Sequence, residues 1–110
     1  ENSNLNQANL KSAYASGANF KDAFLIKAYF ENAFLIKANF ANAFLMEADL
    51  KNCYLMGADF ENASLYKADL RGAKGLTVEQ LSKVKTLYLA KFDEEILQQI
   101  KTNLPELVGA

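Results

Sequence analysis

The sequence predicts an all-β solenoid over residues 1–76, followed by two short α-helices within residues 77–110. Three observations carry this. First, a small residue recurs every five positions from Ala8 through Ala13, Ala18 and onward to Ala73, thirteen alanines in register with Cys53 filling the one gap. Second, a large apolar residue stands two positions after nearly every small one, as in Leu25, Phe30, Leu35, Phe40, Leu45 and Leu50. Third, this pattern stops at Gly75 and gives way to helical spacing.

A strict five-residue period walks around a helical cylinder and never returns its apolar residues to one face, so a long amphipathic helix is rejected. Residues two apart share a side of an extended backbone, which turns the small and the large residue inward and the one between them outward. The second residue after each large position includes Gly17, Gly57, Gly72, Asp22, Asn32, Asn42, Asn52 and Asn62. These types tolerate tight turns, so each unit reads as a very short strand and a corner. One unit cannot bury its own apolar side chains, whereas stacked coils can.

The segments Ala8-Asn9-Leu10, Ala18-Asn19-Phe20, Ala38-Asn39-Phe40, Ala48-Asp49-Leu50, Ala58-Asp59-Phe60 and Ala68-Asp69-Leu70 resemble the pentapeptide-repeat family common in cyanobacteria. The resemblance covers roughly residues 3–75. It implies that family's right-handed quadrilateral β-helix, with four units per coil, Leu or Phe at the axis and Ala near the corner. The sequence supplies its own test of four: Phe20, Phe40 and Phe60 fall twenty apart, as do Leu5, Leu25, Leu45 and Leu65. Ala15 breaks the large series and predicts a loose first coil.

Beyond Gly75, Thr77 and Gln80 have capping-box spacing and Leu81, Val84, Leu87 and Tyr88 follow at helical intervals, predicting a helix over 78–88. Asp93 reads as the N-cap of a second helix over 94–103, with Glu94 and Glu95 in its first turn and Pro105 at or beyond its end. Residues 77–110 are expected to cover the end of the solenoid and hide Leu65 and Leu70. No comparable cap precedes Ser3, so the N-terminal coil is a candidate for end-to-end pairing. A first residue Glu1 rather than Met leaves a processed start open.

Grouping outward positions by twenty gives two apolar walls and two polar ones. One apolar wall carries Phe24 and Phe44 flanked by Ile26, Met46 and Tyr66; the opposite wall carries Tyr14, Phe34 and Tyr54 flanked by Ile36, Met56 and Leu76. Aromatic columns suit both packing along a wall and contact with another protein or a second copy. The polar walls place Glu31 between Lys11 and Lys51.

Composition narrows function. No His is present, Cys53 is the lone cysteine, and the glycines stand singly at corners, so the sequence offers no nucleophile–base pair, metal-ligand cluster or phosphate loop. Asp49, Asp59 and Asp69 occupy outward repeat positions, and Cys53 reads as a packing residue. The expectation is a non-enzymatic interaction module without cofactor or metal. The family resemblance adds an alternative, since some pentapeptide-repeat proteins resemble B-DNA and bind type II topoisomerases such as gyrase. That mechanism calls for long acidic columns, whereas residues 1–75 hold eight acidic and eight basic side chains. Peripheral attachment to a membrane through an apolar wall is a further alternative, without a basic cluster beside it. A net charge of −1 disfavours nucleic acid, and the chain reads as soluble, with the cytoplasm slightly favoured.

Overall fold

The computed structural model describes residues 3–109; Glu1, Asn2 and Ala110, at the expected limits of the two regions, lie outside it. Its backbone winds as a β-solenoid in which residue i pairs in parallel register with residue i+20. Asn4 pairs with Phe24, Phe24 with Phe44 and Phe44 with Ser64; parallel series run through Asn9, Tyr14 and Asn19. Four such ladders mean four five-residue units per coil. In each pairing the large residue's N–H donates to the next coil, as from Leu25 to the Phe44 carbonyl at 2.8 Å, while Phe44 N–H donates back to the Ala23 carbonyl at 2.9 Å.

Between units the chain turns through a hydrogen bond from each small residue to the preceding large one, for example Ala28 N–H to the Leu25 carbonyl at 3.1 Å. The residue before the small one is left-handed at every corner, as the third position of a type II turn requires. Gly17, Gly57 and Gly72 supply this conformation freely, but Gln7, Ser12, Lys27, Lys37, Glu47 and Lys67 adopt it too, with φ between 58° and 63°. Those side chains cost about 1 kcal/mol or more each there. The corner N–H groups offset this by pairing with the next coil, as Lys37 N–H does with the Met56 carbonyl at 2.8 Å.

Inward residues form one continuous core. Leu25, Leu35, Leu45, Leu55 and Leu65 are fully buried, as are Phe30 and Phe40. Phe20, Phe40 and Phe60 stack with centroids 5.2 Å apart, and Phe30 meets Phe20 and Phe40 edge-on at 5.7 and 5.8 Å. In the first coil Leu5, Leu10, Ala15 and Phe20 are only partly buried. Its carbonyls at Asn9, Tyr14 and Asn19 have no backbone donor among the described residues.

After Gly75 the structure departs from expectation. Helix α1 spans only Val78–Leu81, with the Thr77–Gln80 capping box formed as expected. The chain then leaves the helix and resumes pairing: Thr86 lies beside Ser64 and Lys91 beside Asp69, a spacing of 22 instead of 20. The helix expected over 78–88 is therefore corrected to one turn followed by two more solenoid units. Thr86-Leu87 and Ala90-Lys91-Phe92 take up the repeat two residues out of register, with Leu87 and Phe92 buried, Lys85 exposed at the position a small inward residue would hold, and left-handed Leu89 at the corner between the two units. The exposed edge of the preceding coil, with unpaired carbonyls and N–H groups, stabilises these residues more than an isolated second helical turn would. Gln80 closes the other side of that coil by donating its side-chain amide to the Leu55 and Ala58 carbonyls at 2.8 and 3.0 Å.

Helix α2 spans Glu94–Asn103, the bounds expected, and a one-turn helix α3 spans Pro105–Val108. Ile100 and Leu104 are buried in the same cluster as Leu65, Leu81, Leu87 and Phe92. Asp93 occupies the N-cap position of α2 but makes no side-chain cap bond. Its carboxylate accepts instead from Gly72 N–H at 3.0 and 3.1 Å, tying the start of α2 to a solenoid corner. Among the described residues no helix is long and apolar enough to cross a membrane.

Candidate interaction surface

From Phe24 to Asp69 the outward residue of each unit is held between two buried neighbours, so its direction is fixed by the core and not by its own contacts. Coil stacking then brings like side chains together. Phe24 and Phe44 stack with centroids 4.9 Å apart and planes 8° apart. On the opposite wall Tyr14 stacks on Phe34 at 5.1 Å and Phe34 on Tyr54 at 4.6 Å. Ile26, Met46 and Tyr66 follow in register beside the first ladder and Ile36 and Met56 beside the second, whereas Leu76, expected on that second margin, packs against the core where the repeat has ended, near Leu70 and Ile96. Tyr14 is 89% exposed, Met56 41% and Phe44 37%, while Phe24, Phe34 and Tyr54 are half-buried.

The two ladders end differently. Lys74 lies in register below Tyr54 and holds its ammonium 4.9 Å from the ring centroid, closing that column with a cation. Below Phe44 stands Ser64. Tyr66 continues its column onto Tyr88, with centroids 6.0 Å apart, a partner hidden by the expectation that Tyr88 is helical. Exposed Tyr29, with Lys11 5.5 Å above its ring, adds an aromatic to a wall read from the sequence as polar.

On the polar walls the consensus Asp or Asn has a local task that the repeat pattern alone did not disclose. Asn9, Asn19, Asn39, Asp49, Asp59 and Asp69 each accept the backbone N–H two residues on, at 2.9 to 3.2 Å, fixing the entry to the corner. Glu31 lies 3.7 Å from both Lys11 and Lys51, the arrangement expected, and Lys51 also lies 3.7 Å from Asp49. Partial burial pushes the Asp69 carboxyl upward, but hydrogen bonds and charge from Arg71 outweigh it and hold Asp69 below the ordinary carboxylate range. Glu31, Asp49 and Asp69 thus each face a basic partner along this wall.

Among the described residues no three His, Cys, Asp or Glu side chains come together as a metal site requires. Cys53 is fully buried, and its Sγ donates to the Phe30 carbonyl at 2.8 Å. Burial pushes its pKa up to about 12, far from that of a nucleophilic thiolate. Because the folded state holds this proton where the unfolded thiol releases it, stability is full below the unfolded pKa of about 8.5 and falls by up to about 1.4 kcal/mol per pH unit above it. Denaturation midpoints at pH 8 and pH 10 should therefore differ more for the parent than for Cys53→Ala. An identical pH dependence in both would contradict the burial of this thiol.

Comparison with known proteins agrees with this geometry. The model of pentapeptide repeats matches in eight copies over residues 1–32, 16–52, 25–62 and 43–74. HetL, a pentapeptide repeat protein involved in heterocyst differentiation regulation from the cyanobacterium Nostoc, has 32% identity and a TM-score of 0.63, over 80% of this chain and 38% of HetL. A pentapeptide repeat protein from the Arabidopsis thaliana thylakoid lumen has 24% identity and a TM-score of 0.60, over 91% of this chain and 75% of its own. QnrB1, a plasmid-mediated fluoroquinolone resistance protein, has 20% identity and a TM-score of 0.50, over 97% of this chain and 65% of its own. The chain thus spans well under half of HetL and just under two thirds of QnrB1. No curated protein sequence matches it.

Proposed function

Because the chain belongs to the pentapeptide repeat family, we propose that it is a non-enzymatic interaction module that presents rigid rows of aromatic side chains to a protein partner. In this reading residues 1–76 form the right-handed quadrilateral β-helix and residues 77–110 its C-terminal cap, a cap that itself adds two paired units at Thr86 and Lys91 before α2. The observation that carries it is the pair of ladders, Phe24–Phe44 and Tyr14–Phe34–Tyr54, whose direction from Phe24 onward is set by the buried core. A preordered aromatic row loses little side-chain freedom on binding, which favours its use as an interface.

Affinity capture from native extract, comparing the parent with Phe24→Ser/Phe44→Ser and with Phe34→Ser/Tyr54→Ser, tests this. We expect a stoichiometric protein to be lost with one wall variant while circular dichroism shows the fold retained. The same captured set with all three, together with monomeric mass in solution, would overturn it. Inhibition of gyrase supercoiling by all three alike would move the reading to DNA mimicry.

A further inference from the structure

We propose that the break in the Phe24–Phe44 ladder at Ser64 is a binding slot for one aromatic side chain of a protein partner, with an acidic residue beside it. The inference rests on the interaction-module reading and deepens it. In this column Phe24, Phe44, Ser64 and Thr86 follow one another in parallel register. Ser64 N–H donates to the Ala43 carbonyl at 3.1 Å and Leu65 N–H to the Thr86 carbonyl at 3.2 Å, so the backbone runs on without a gap while the side-chain column loses a ring.

Below Phe44 this leaves a notch of about 430 Å³ lined by Phe44, Met46, Asn62, Ser64, Lys85 and Thr86. Its roof is the lower face of the Phe44 ring and its floor is Thr86. Met46 stands on one side; on the other Asn62 is held by the bond from its side-chain amide to Asn42 Oδ1 at 2.9 Å. A ring entering here meets Phe44 at the spacing the column already uses, 4.9 Å between Phe24 and Phe44. Offset stacking at such distances adds to simple burial of apolar area.

The opposite ladder shows the alternative ending. There Lys74 covers the last ring from below, so nothing further stacks on it. In the Phe24–Phe44 column the residue that follows the last ring is too small to cover it, and Phe44 stays open. Lys85 is the only charged side chain among the described residues lining the notch. It favours an occupant bearing a carboxylate next to its ring, as in an Asp-Phe or Phe-Asp sequence.

The test is titration of the ¹⁵N-labelled chain with acetyl-Asp-Phe-Asp-amide, following the amide signals of Asn62, Ser64 and Thr86. Controls replace Phe by cyclohexylalanine or both Asp by Lys. We expect saturable shifts concentrated at those amides, weaker by about tenfold when the ring is lost, a factor matching the worth of one aromatic pair. Ser64→Phe should fill the slot and abolish the shifts while melting no lower than the parent. Should Ser64→Phe fold poorly, Phe44→Leu, an outward substitution, should weaken binding in its place. Absent or unsaturable shifts at these amides, equal binding of the cyclohexyl peptide, or shifts that persist in Ser64→Phe would each overturn the slot. Peptide binding without capture of any protein from extract would sink the module reading alone, and capture insensitive to Ser64→Phe would sink the slot alone.

Discussion

Leu45→Asp is expected to leave the chain unfolded at neutral pH. Leu45 is fully buried at the solenoid axis, with Leu25 and Leu65 one coil away on either side, both also fully buried. Removing the leucine forfeits about 1.5 to 3 kcal/mol of apolar burial. Placing a carboxylate there without a partner costs several kcal/mol more. A domain of this size has only about 5 to 15 kcal/mol in total. Position adds to the effect, because each coil of a solenoid is stable only against its neighbours and Leu45 lies in the middle of the stack. Leu45→Met, which conserves volume, should cost under about 1.5 kcal/mol. Circular dichroism melts of both variants check this: a cooperative melt of Leu45→Asp close to that of the parent would contradict the axial placement.

Phe40→Ala should destabilise the chain by about 3 to 5 kcal/mol, the usual loss for emptying a ring-sized core site. Three ring contacts make this the most connected aromatic in the core, stacked on Phe20 and Phe60 and edge-on to Phe30. The coils on both sides are held apart by backbone hydrogen bonds and cannot collapse into the void, which places the cost toward the upper end. For comparison, Phe34→Ala on the outer wall loses stacking with Tyr14 and Tyr54 but opens no cavity, and should cost about 0.5 to 1.5 kcal/mol per lost ring pair. Denaturant midpoints of the two variants measure the difference. Equal losses would mean that the inner and outer columns have been assigned to the wrong sides.

Residues 3–75 were legible because two independent periods agree there. The five-residue spacing of Ala and Leu or Phe gives the unit, and the recurrence of Phe20, Phe40 and Phe60 gives the coil; pairing of Asn19 with Asn39 and Asn39 with Asp59 follows from it. In the segment after α1, Leu81, Val84, Leu87 and Tyr88 satisfy helical spacing, and of the four only Leu87 falls on an inward position of the shifted repeat. Over so short a stretch periodicity alone does not separate the two. A signal was present in Ala90-Lys91-Phe92, which repeats the Ala-x-Phe order, and in Thr86-Leu87 before it, but the two-residue insertion moved both off the register counted from Ala8. Asp93 shows the same limit at one residue: a good N-cap type was drawn to a nearer donor, Gly72, that only the winding brings beside it. The apolar walls were visible as lists of residues. What remained hidden was how each column ends, since Lys74 covers Tyr54 and Ser64 uncovers Phe44 only through coil stacking.

The most direct test is a map of nuclear Overhauser contacts between backbone protons in the folded chain. Winding in four-unit coils predicts contacts between residues twenty apart from Asn4–Phe24 to Tyr54–Lys74, and 22 apart for Ser64–Thr86 and Asp69–Lys91. Sequential helical contacts through residues 82–90, or the absence of contacts between Asn19 and Asn39, would contradict it.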